Sequence, residues 1–245
     1  MMKNVDFLKY TPRQESTIYF YVAGKAKKIS EISEEILDVT KKVIDINNGF
    51  FIPTRVECIF LDFPEDYSAS DVFDHMRMKV SQIEIKSDKG VTFNEIKEHV
   101  HNIVYPKDVI RYLRRIKLYG KSKFILKNKD EYIDENSKEL FKFLNRDDTV
   151  SRLSPGVDPI NIYIEQSFVK GESKPVESSE PAYYDISFWS ETDVWFENTE
   201  IGLANRNRLR QVVKKLYDNF DVVDSFFLSE WYSVDDLKQI VFGID

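Results

Sequence analysis

The stretch that decides the fold class lies near the N-terminus and reads Thr17-Ile18-Tyr19-Phe20-Tyr21-Val22-Ala23. Its β-branched and aromatic residues favour an extended strand. An apolar stripe follows at steps of four and three residues, formed by Ile32, Ile36, Val39, Val43 and Ile46. This spacing predicts one buried helix face, with Ser30 as the N-cap and Asn48-Gly49 as the stop. A strand followed by an amphipathic helix indicates mixed α and β structure.

The same alternation continues along the chain. Further strands are predicted at 55–63, 83–86, 124–126, 160–168, 183–196 (as one strand or a hairpin) and 222–230. Further helices are predicted at 68–80 and at 205–219, and others begin after Asp134 and after Ser233. A Thr92/Glu95 capping box predicts a helix that ends at about residue 104. Pro106 is expected to open another helix, whose buried stripe is Val109, Leu113 and Ile116. We therefore expect an α/β or α+β fold with one or more mixed sheets and flanking helices.

Two stretches of the chain resemble each other. The order strand, helix, strand, capped helix is predicted at 17–80 and again at 183–242. An internal duplication would give two similar β-α-β-α lobes, although the common Ser-x-x-Asp cap can produce the same resemblance by chance. The predicted division is an α/β lobe at 1–80, a mostly helical middle insertion with a basic cluster at 81–159, and an α/β lobe at 160–245. All three segments could also form one compact domain.

Composition excludes several classes of protein. No apolar run approaches the roughly 20 residues of a membrane-spanning helix, and the first residues lack the apolar centre of a signal peptide. The single cysteine, Cys58, cannot form an internal disulfide, which is typical of a reducing compartment. We therefore expect a cytoplasmic protein with no membrane partner.

The familiar catalytic and cofactor motifs are missing from the sequence, so we expect no cofactor and no metal. Leu118-Tyr119-Gly120-Lys121-Ser122 resembles the end of a phosphate-binding loop, but Arg115 stands where the first glycine is required. His99 and His101 are two residues apart on a predicted helix, so they point in different directions and cannot share a metal. Cys58 lies in an apolar strand, where a thiol is typically part of the core.

Charge is unevenly distributed. The net charge is −7, yet residues 107–129 carry nine basic residues and one acidic residue. Arg111, Arg114 and Arg115 share one face of the predicted helix and could contact phosphates together. A nucleic-acid binder is therefore one hypothesis, although an acidic protein repels polyanions at a distance.

The segment 183–197 combines six aromatic residues with four carboxylates. Alternation along a strand places Tyr184, Ile186 and Phe188 on one face. Tyr183, Asp185 and Trp189 take the other face. Two arrangements remain open, a sheet buried on both faces or a sheet with one face available to a partner.

The favoured hypothesis is a non-enzymatic binding protein that recognises another macromolecule, such as a basic protein, through an acidic, aromatic-rich surface. An immunity or antitoxin protein is one concrete form. The predicted binding residues are Tyr183, Asp185, Trp189, Glu191, Asp193, Trp195, Glu230 and Trp231. The alternatives are an enzyme that uses a pair of these carboxylates and a nucleic-acid binder that uses the three arginines.

Overall fold

The structure is a computed structural model that describes residues 16–64, 79–103, 109–126, 129–133, 160–167, 182–190, 200–229 and 233–243. Its strands are β1 (Ser16–Ala23), β2 (Phe51–Pro64), β3 (Lys79–Lys86), β4 (Val109–Leu126), β5 (Lys129–Ile133), β6 (Ile160–Ser167), β7 (Tyr183–Ser190) and β8 (Val222–Ser229). Its helices are α1 (Ile29–Ile46), α2 (Phe93–His101), α3 (Glu200–Asn219) and α4 (Val234–Phe242). The predicted mixture of sheet and flanking helices is confirmed.

The described strands form one sheet in the order β3-β2-β4-β6-β7-β1-β8, and β5 pairs with the C-terminal end of β4. Every pairing between neighbours is antiparallel. Strands from all three predicted segments of the chain therefore share the sheet. Because β4 is an interior strand of the described sheet, the basic residues of β4 are part of that sheet.

Two helices link strands that run in the same direction. Since neighbours alternate in direction, β1 is parallel to β2, and β7 is parallel to β8. The connection through α1 passes three intervening strands, whereas the connection through α3 passes only β1. The two halves therefore occupy unequal positions in one sheet, and the predicted internal duplication is not confirmed.

Helices α1, α3 and α4 pack on one face of the sheet, which we call the inner face, and α2 contacts α1. Phe20 of β1 makes an edge contact with Tyr217 of α3 at 6.0 Å between ring centroids, and Phe227 of β8 makes one with Phe242 of α4 at 5.7 Å. From β7, the hydroxyl of Tyr184 donates a hydrogen bond to Glu35 Oε2 of α1 at 2.7 Å. The predicted α1 stripe is buried against this face, and burial of such apolar area is the main stabilising contribution.

The predicted helix after Pro106 is wrong, because residues 109–126 form the long strand β4. The register shifts at Arg114, where Ile59 pairs with Arg115 but Phe60 pairs with Leu113. This bulge places Leu113 and Ile116, three residues apart, on the same inner face. A strand with a bulge therefore imitates helical spacing. The N–H of Leu113 at the bulge donates to Ser33 Oγ of α1 at 2.9 Å.

Other element boundaries differ at their ends. Helix α1 begins at Ile29 after Lys28, which makes no side-chain cap, so the predicted cap at Ser30 is wrong. Strand β3 begins at Lys79, so the predicted helix 68–80 does not include its last two residues, and residues 65–78 lie outside the described part. The capping boxes Thr92/Glu95 and Ser233/Asp236 are both confirmed.

Gly120 allows a close backbone approach between two strands of the sheet. It lies in β4, and a Cβ atom at this position would clash with the carbonyl oxygen of Ile52 on β2. Any side chain would therefore displace one of the two strands. The Gly-Lys-Ser sequence that resembles a phosphate loop is thus the interior of a strand, and the glycine is required for strand packing.

Candidate protein-binding face

The face of the sheet opposite the described helices, called here the outer face, carries aromatic and charged side chains. Strand pairing aligns these side chains in three rows, each of which crosses the sheet from β8 through β1, β7, β6 and β4 to β2. The first row is Phe226–Tyr19–Ser187–Tyr163–Lys117–Glu57, and the second is Leu228–Thr17–Trp189–Asn161–Tyr119–Arg55. The third row is Asp224–Tyr21–Asp185–Glu165–Arg115–Ile59. The aromatic rings in these rows are half-buried, which is intermediate between core and free surface. Rings that retain part of their exposure can still contribute apolar area to a complex.

The half of the outer face on β2, β4 and β6, called the basic half, has its cations placed against its own rings. The guanidinium carbon of Arg55 lies 4.0 Å from the ring centroid of Tyr119, and Lys117 Nζ lies 5.3 Å from that of Tyr163. Glu57 accepts the Tyr119 hydroxyl at 3.2 Å and lies 3.8 Å from Lys117 Nζ. Burial, Tyr163 and Glu57 raise the pKa of Tyr119. These groups therefore satisfy one another within the chain.

The half on β7, β1 and β8, called the acidic half, has a different arrangement. The rings of Tyr19 and Phe226 are stacked at 4.3 Å, and Tyr21 stacks on Phe226 at 5.5 Å. Asp185 and Asp224 flank Tyr21 in its row, and the described outer-face positions of these three strands include no Lys or Arg. This half therefore combines a ring stack with negative charge.

Burial and nearby carboxylates together act on the two tyrosines of the acidic half. Burial and the carboxylate of Asp185 raise the pKa of Tyr19. Burial, Asp185, Tyr19 and Asp224 raise the pKa of Tyr21. A nearby negative charge disfavours the ionised phenolate, which is the effect that would favour a cation at the same position.

Small polar residues lie between the rings of the outer face. Asn161 is only 6% exposed, although it lies on this face, because Trp189 and Tyr119 are its cross-strand neighbours. Its Oδ1 atom is buried without a hydrogen-bond partner. The indole N–H of Trp189 donates to Ser187 Oγ at 3.2 Å. Trp189 is thereby held against its own strand, and it covers polar groups that would otherwise contact water.

Three predicted binding residues lie on the outer face within the acidic half. Tyr183, Asp185 and Trp189 are half-buried there, while Tyr184, Ile186 and Phe188 are buried on the inner face, so the predicted alternation along β7 is confirmed. The other predicted binding residues lie outside the described part of the chain, namely Glu191, Asp193, Trp195, Glu230 and Trp231.

The three arginines of the nucleic-acid hypothesis do not share a face, because they lie on a strand with a bulge at Arg114. Arg111 pairs with Asp62 in a largely buried bidentate contact. Arg114 Nε lies 3.1 Å from Glu165 Oε1, and Arg115 pairs with the other oxygen of the same carboxylate. Arg111 is therefore neutralised by Asp62, whereas Arg114 and Arg115 share the one carboxylate of Glu165, and both arrangements weaken contact with phosphate.

Other chemical groups give no second site in the described residues. Burial raises the pKa of the Cys58 thiol to about 12, as expected for a core cysteine. A cavity of about 20 Å³ beneath the sheet is lined mainly by apolar side chains of β1, β6, β7, α3 and α4 and includes none of the predicted catalytic carboxylates. No group of three His, Cys, Asp or Glu in the described ranges could hold a metal ion.

None of the helices in the described part combines the length and the apolar composition needed to cross a membrane.

Sequence reasoning missed the ring stack of the acidic half. Tyr19 and Tyr21 alternate with Ile18, Phe20 and Val22, so strand alternation alone could have placed them opposite the core. Their pairing with Phe226 and with Asp185 joins residues more than a hundred positions apart, and no local pattern encodes it.

Neither the family models, the curated proteins nor the solved structures with which the chain was compared include a match.

Proposed function

We propose that this chain is a non-enzymatic binding protein that recognises another protein through the outer face of its sheet. The observation that carries this proposal is the acidic half, in which stacked rings and carboxylates lie on the face away from the described helices. Trp and Tyr are common anchors of protein interfaces, and complementary charge steers association. An immunity or antitoxin protein that neutralises a basic toxin is one form this function could take.

The structure supports the alternatives less well. The arginines of the nucleic-acid hypothesis are paired with Asp62 and Glu165. For the enzyme hypothesis, Asp185 does lie opposite a second carboxylate, that of Glu165. Glu165 is, however, bound to Arg114 and Arg115, and acid–base catalysis usually requires a cleft around the two carboxylates.

Site-specific photo-crosslinking tests the proposal with a matched control. Leu228 is 54% exposed on the outer face, and Leu203 is 47% exposed on α3. We would replace each in turn with a photoreactive phenylalanine analogue and irradiate the protein in cells of its native host. The expected result is a discrete adduct from position 228 that position 203 does not give.

The cross-linked protein would then be purified and titrated against wild type and a Trp189→Ala variant whose circular dichroism matches wild type. We expect the variant to bind at least tenfold more weakly, since Trp is enriched among the interface residues whose replacement costs about 2 kcal/mol or more. Identical adducts from both positions, or equal affinity of the variant, would refute the proposal.

A further inference from the structure

The two halves of the outer face differ in whether a described Lys or Arg of the chain lies against their aromatic rings. In the basic half, Tyr119 and Tyr163 each have a cation from the chain against the ring, Arg55 and Lys117. In the acidic half, the stacked rings of Tyr19, Tyr21 and Phe226 have no such cation among the described residues, although carboxylates flank them. Within the described part of the chain, the acidic half thus has the rings and acids of a cation–π site without a Lys or Arg against those rings.

The basic half shows how a guanidinium binds to a ring and a carboxylate on this sheet. There, Arg55 lies over the Tyr119 ring while its Nε is 4.0 Å from Glu84 Oε1, so one guanidinium contacts a ring and a carboxylate together. In the acidic half, Phe226 stacks on Tyr19 and on Tyr21, and Asp224 is on the same face of the same strand, two residues from Phe226. Ring and carboxylate are therefore again adjacent.

We propose that the ring stack of Tyr19, Tyr21 and Phe226, with Asp224 beside it, is a receptor for an arginine side chain supplied by the protein partner. This inference rests on the proposed function and specifies the chemistry of the partner. Arginine fits better than lysine, because its planar guanidinium stacks on a ring and is more weakly hydrated than an ammonium group. Burial is the larger cause of the raised pKa of both tyrosines, and the nearby carboxylates that add to it also favour a cation at this position.

Asp224 also occupies a backbone donor of β8, which is the last strand of the described sheet, and it keeps its charge. Its Oδ1 accepts the N–H of Ser225 at 2.8 Å. A partner strand cannot pair with that donor while the contact is present. The carboxylate remains exposed beside Phe226, so contact through a side chain is favoured here over addition of a strand.

An NMR titration with defined probes tests this inference. The probes are three Gly-Ser peptides that carry a central Arg-Leu-Arg, Lys-Leu-Lys or citrulline-Leu-citrulline sequence. We expect the arginine peptide to shift amide signals of β1, β7 and β8, the lysine peptide to bind more weakly, and the neutral citrulline peptide to bind weakest. Citrulline retains the shape of arginine and lacks its charge, so equal binding of the citrulline peptide would overturn the inference.

Matched variants in the two halves test whether the arginine peptide binds at the acidic half. Phe226→Leu removes a ring from the acidic half, and Tyr163→Leu removes one from the basic half. We expect Phe226→Leu to weaken the arginine peptide by roughly 3- to 30-fold, the range of one cation–π contact, and Tyr163→Leu to change its affinity less than twofold. Asp224→Asn keeps the acceptor for Ser225 and removes the charge, so it should weaken binding even if Phe226→Leu perturbs the fold. Equal losses in both halves, or no loss in Asp224→Asn, would refute the site.

The failures of the two proposals are distinguishable. If crosslinking and Trp189→Ala identify a partner on the outer face while the arginine peptide does not bind the acidic half, only the arginine receptor is wrong. If the peptide binds as expected while the crosslinked partner is indifferent to outer-face variants, the proposed function is wrong.

Discussion

Replacement of Arg111 provides a quantitative test of its structural role. Its Nε and Nη2 atoms each donate to a carboxylate oxygen of Asp62 at 2.5 Å, and the two side chains are only 13% and 11% exposed. Arg111→Met removes the cation and leaves the carboxylate with almost no access to water. Removal of one partner from a buried pair costs about 3–5 kcal/mol. At about 2 cal/mol/K per residue, this lowers Tm by about 6–10 °C for 245 residues.

The assay is equilibrium urea unfolding followed by far-UV circular dichroism, with two controls. The double variant Arg111→Met/Asp62→Leu removes both charges and should recover most of the lost stability, to within about 1.5 kcal/mol of wild type. Lys86→Met breaks an exposed pair with Glu84, whose Nζ–Oε2 distance is 2.9 Å, and should cost less than about 1 kcal/mol. A cost for Arg111→Met as small as that for Lys86→Met would refute the buried-pair argument and make Arg111 available again as a phosphate ligand.

Three further predictions concern single residues. Asn161→Val should leave the free energy of unfolding, measured by thermal unfolding, unchanged or raise it by about 1 kcal/mol. The reason is that it removes from a strand a buried oxygen that has no hydrogen-bond partner. A loss above about 1 kcal/mol would show that the amide does have such a partner. Cys58 should resist alkylation in the folded protein at pH 8 and react on unfolding, since burial raises its pKa to about 12. Because this pKa is raised from 9.0, the stability that the neutral thiol contributes is complete below about pH 9 and is lost as pH rises toward 12. A Cys58→Ala variant should therefore lose less free energy of unfolding than wild type over this alkaline range. Arg210→Gln should increase hydrogen exchange in α4 and cost about 1–2 kcal/mol, because Arg210 donates to the carbonyls of Gln239 and Ile240 at 2.9 Å each; unchanged exchange would exclude this capping role.

Local features were predictable because their causes lie within a few residues. In each of the two capping boxes, Thr92/Glu95 and Ser233/Asp236, a side chain bonds to a backbone N–H three residues away. The alternation along β7 was predictable for the same reason, since successive side chains of a strand point to opposite faces. Tyr183, Asp185 and Trp189 could therefore be placed opposite the core before the sheet was known.

The helix predicted after Pro106 failed because its pattern has two physical explanations. Leu113 and Ile116 share the inner face either through a helical turn or through a strand with one extra residue, here Arg114. Only pairing with β2 and β6 distinguishes the two. The same pairing brings Arg115 next to Glu165, fifty positions later in the chain, and so determines whether that arginine is available to a phosphate.

The sequence by itself determined that the chain alternates strands with amphipathic helices, and it determined which side of β7 faces the core, because both depend on local periodicity. Only the tertiary structure decided that the strands form one antiparallel sheet and that Phe226 stacks on Tyr19 and on Tyr21 opposite the described helices. Strand order depends on contacts between residues that are distant in sequence, whose free energy includes the entropy of closing long loops. No local pattern carries that information, so the ring stack emerges only when the sheet is assembled.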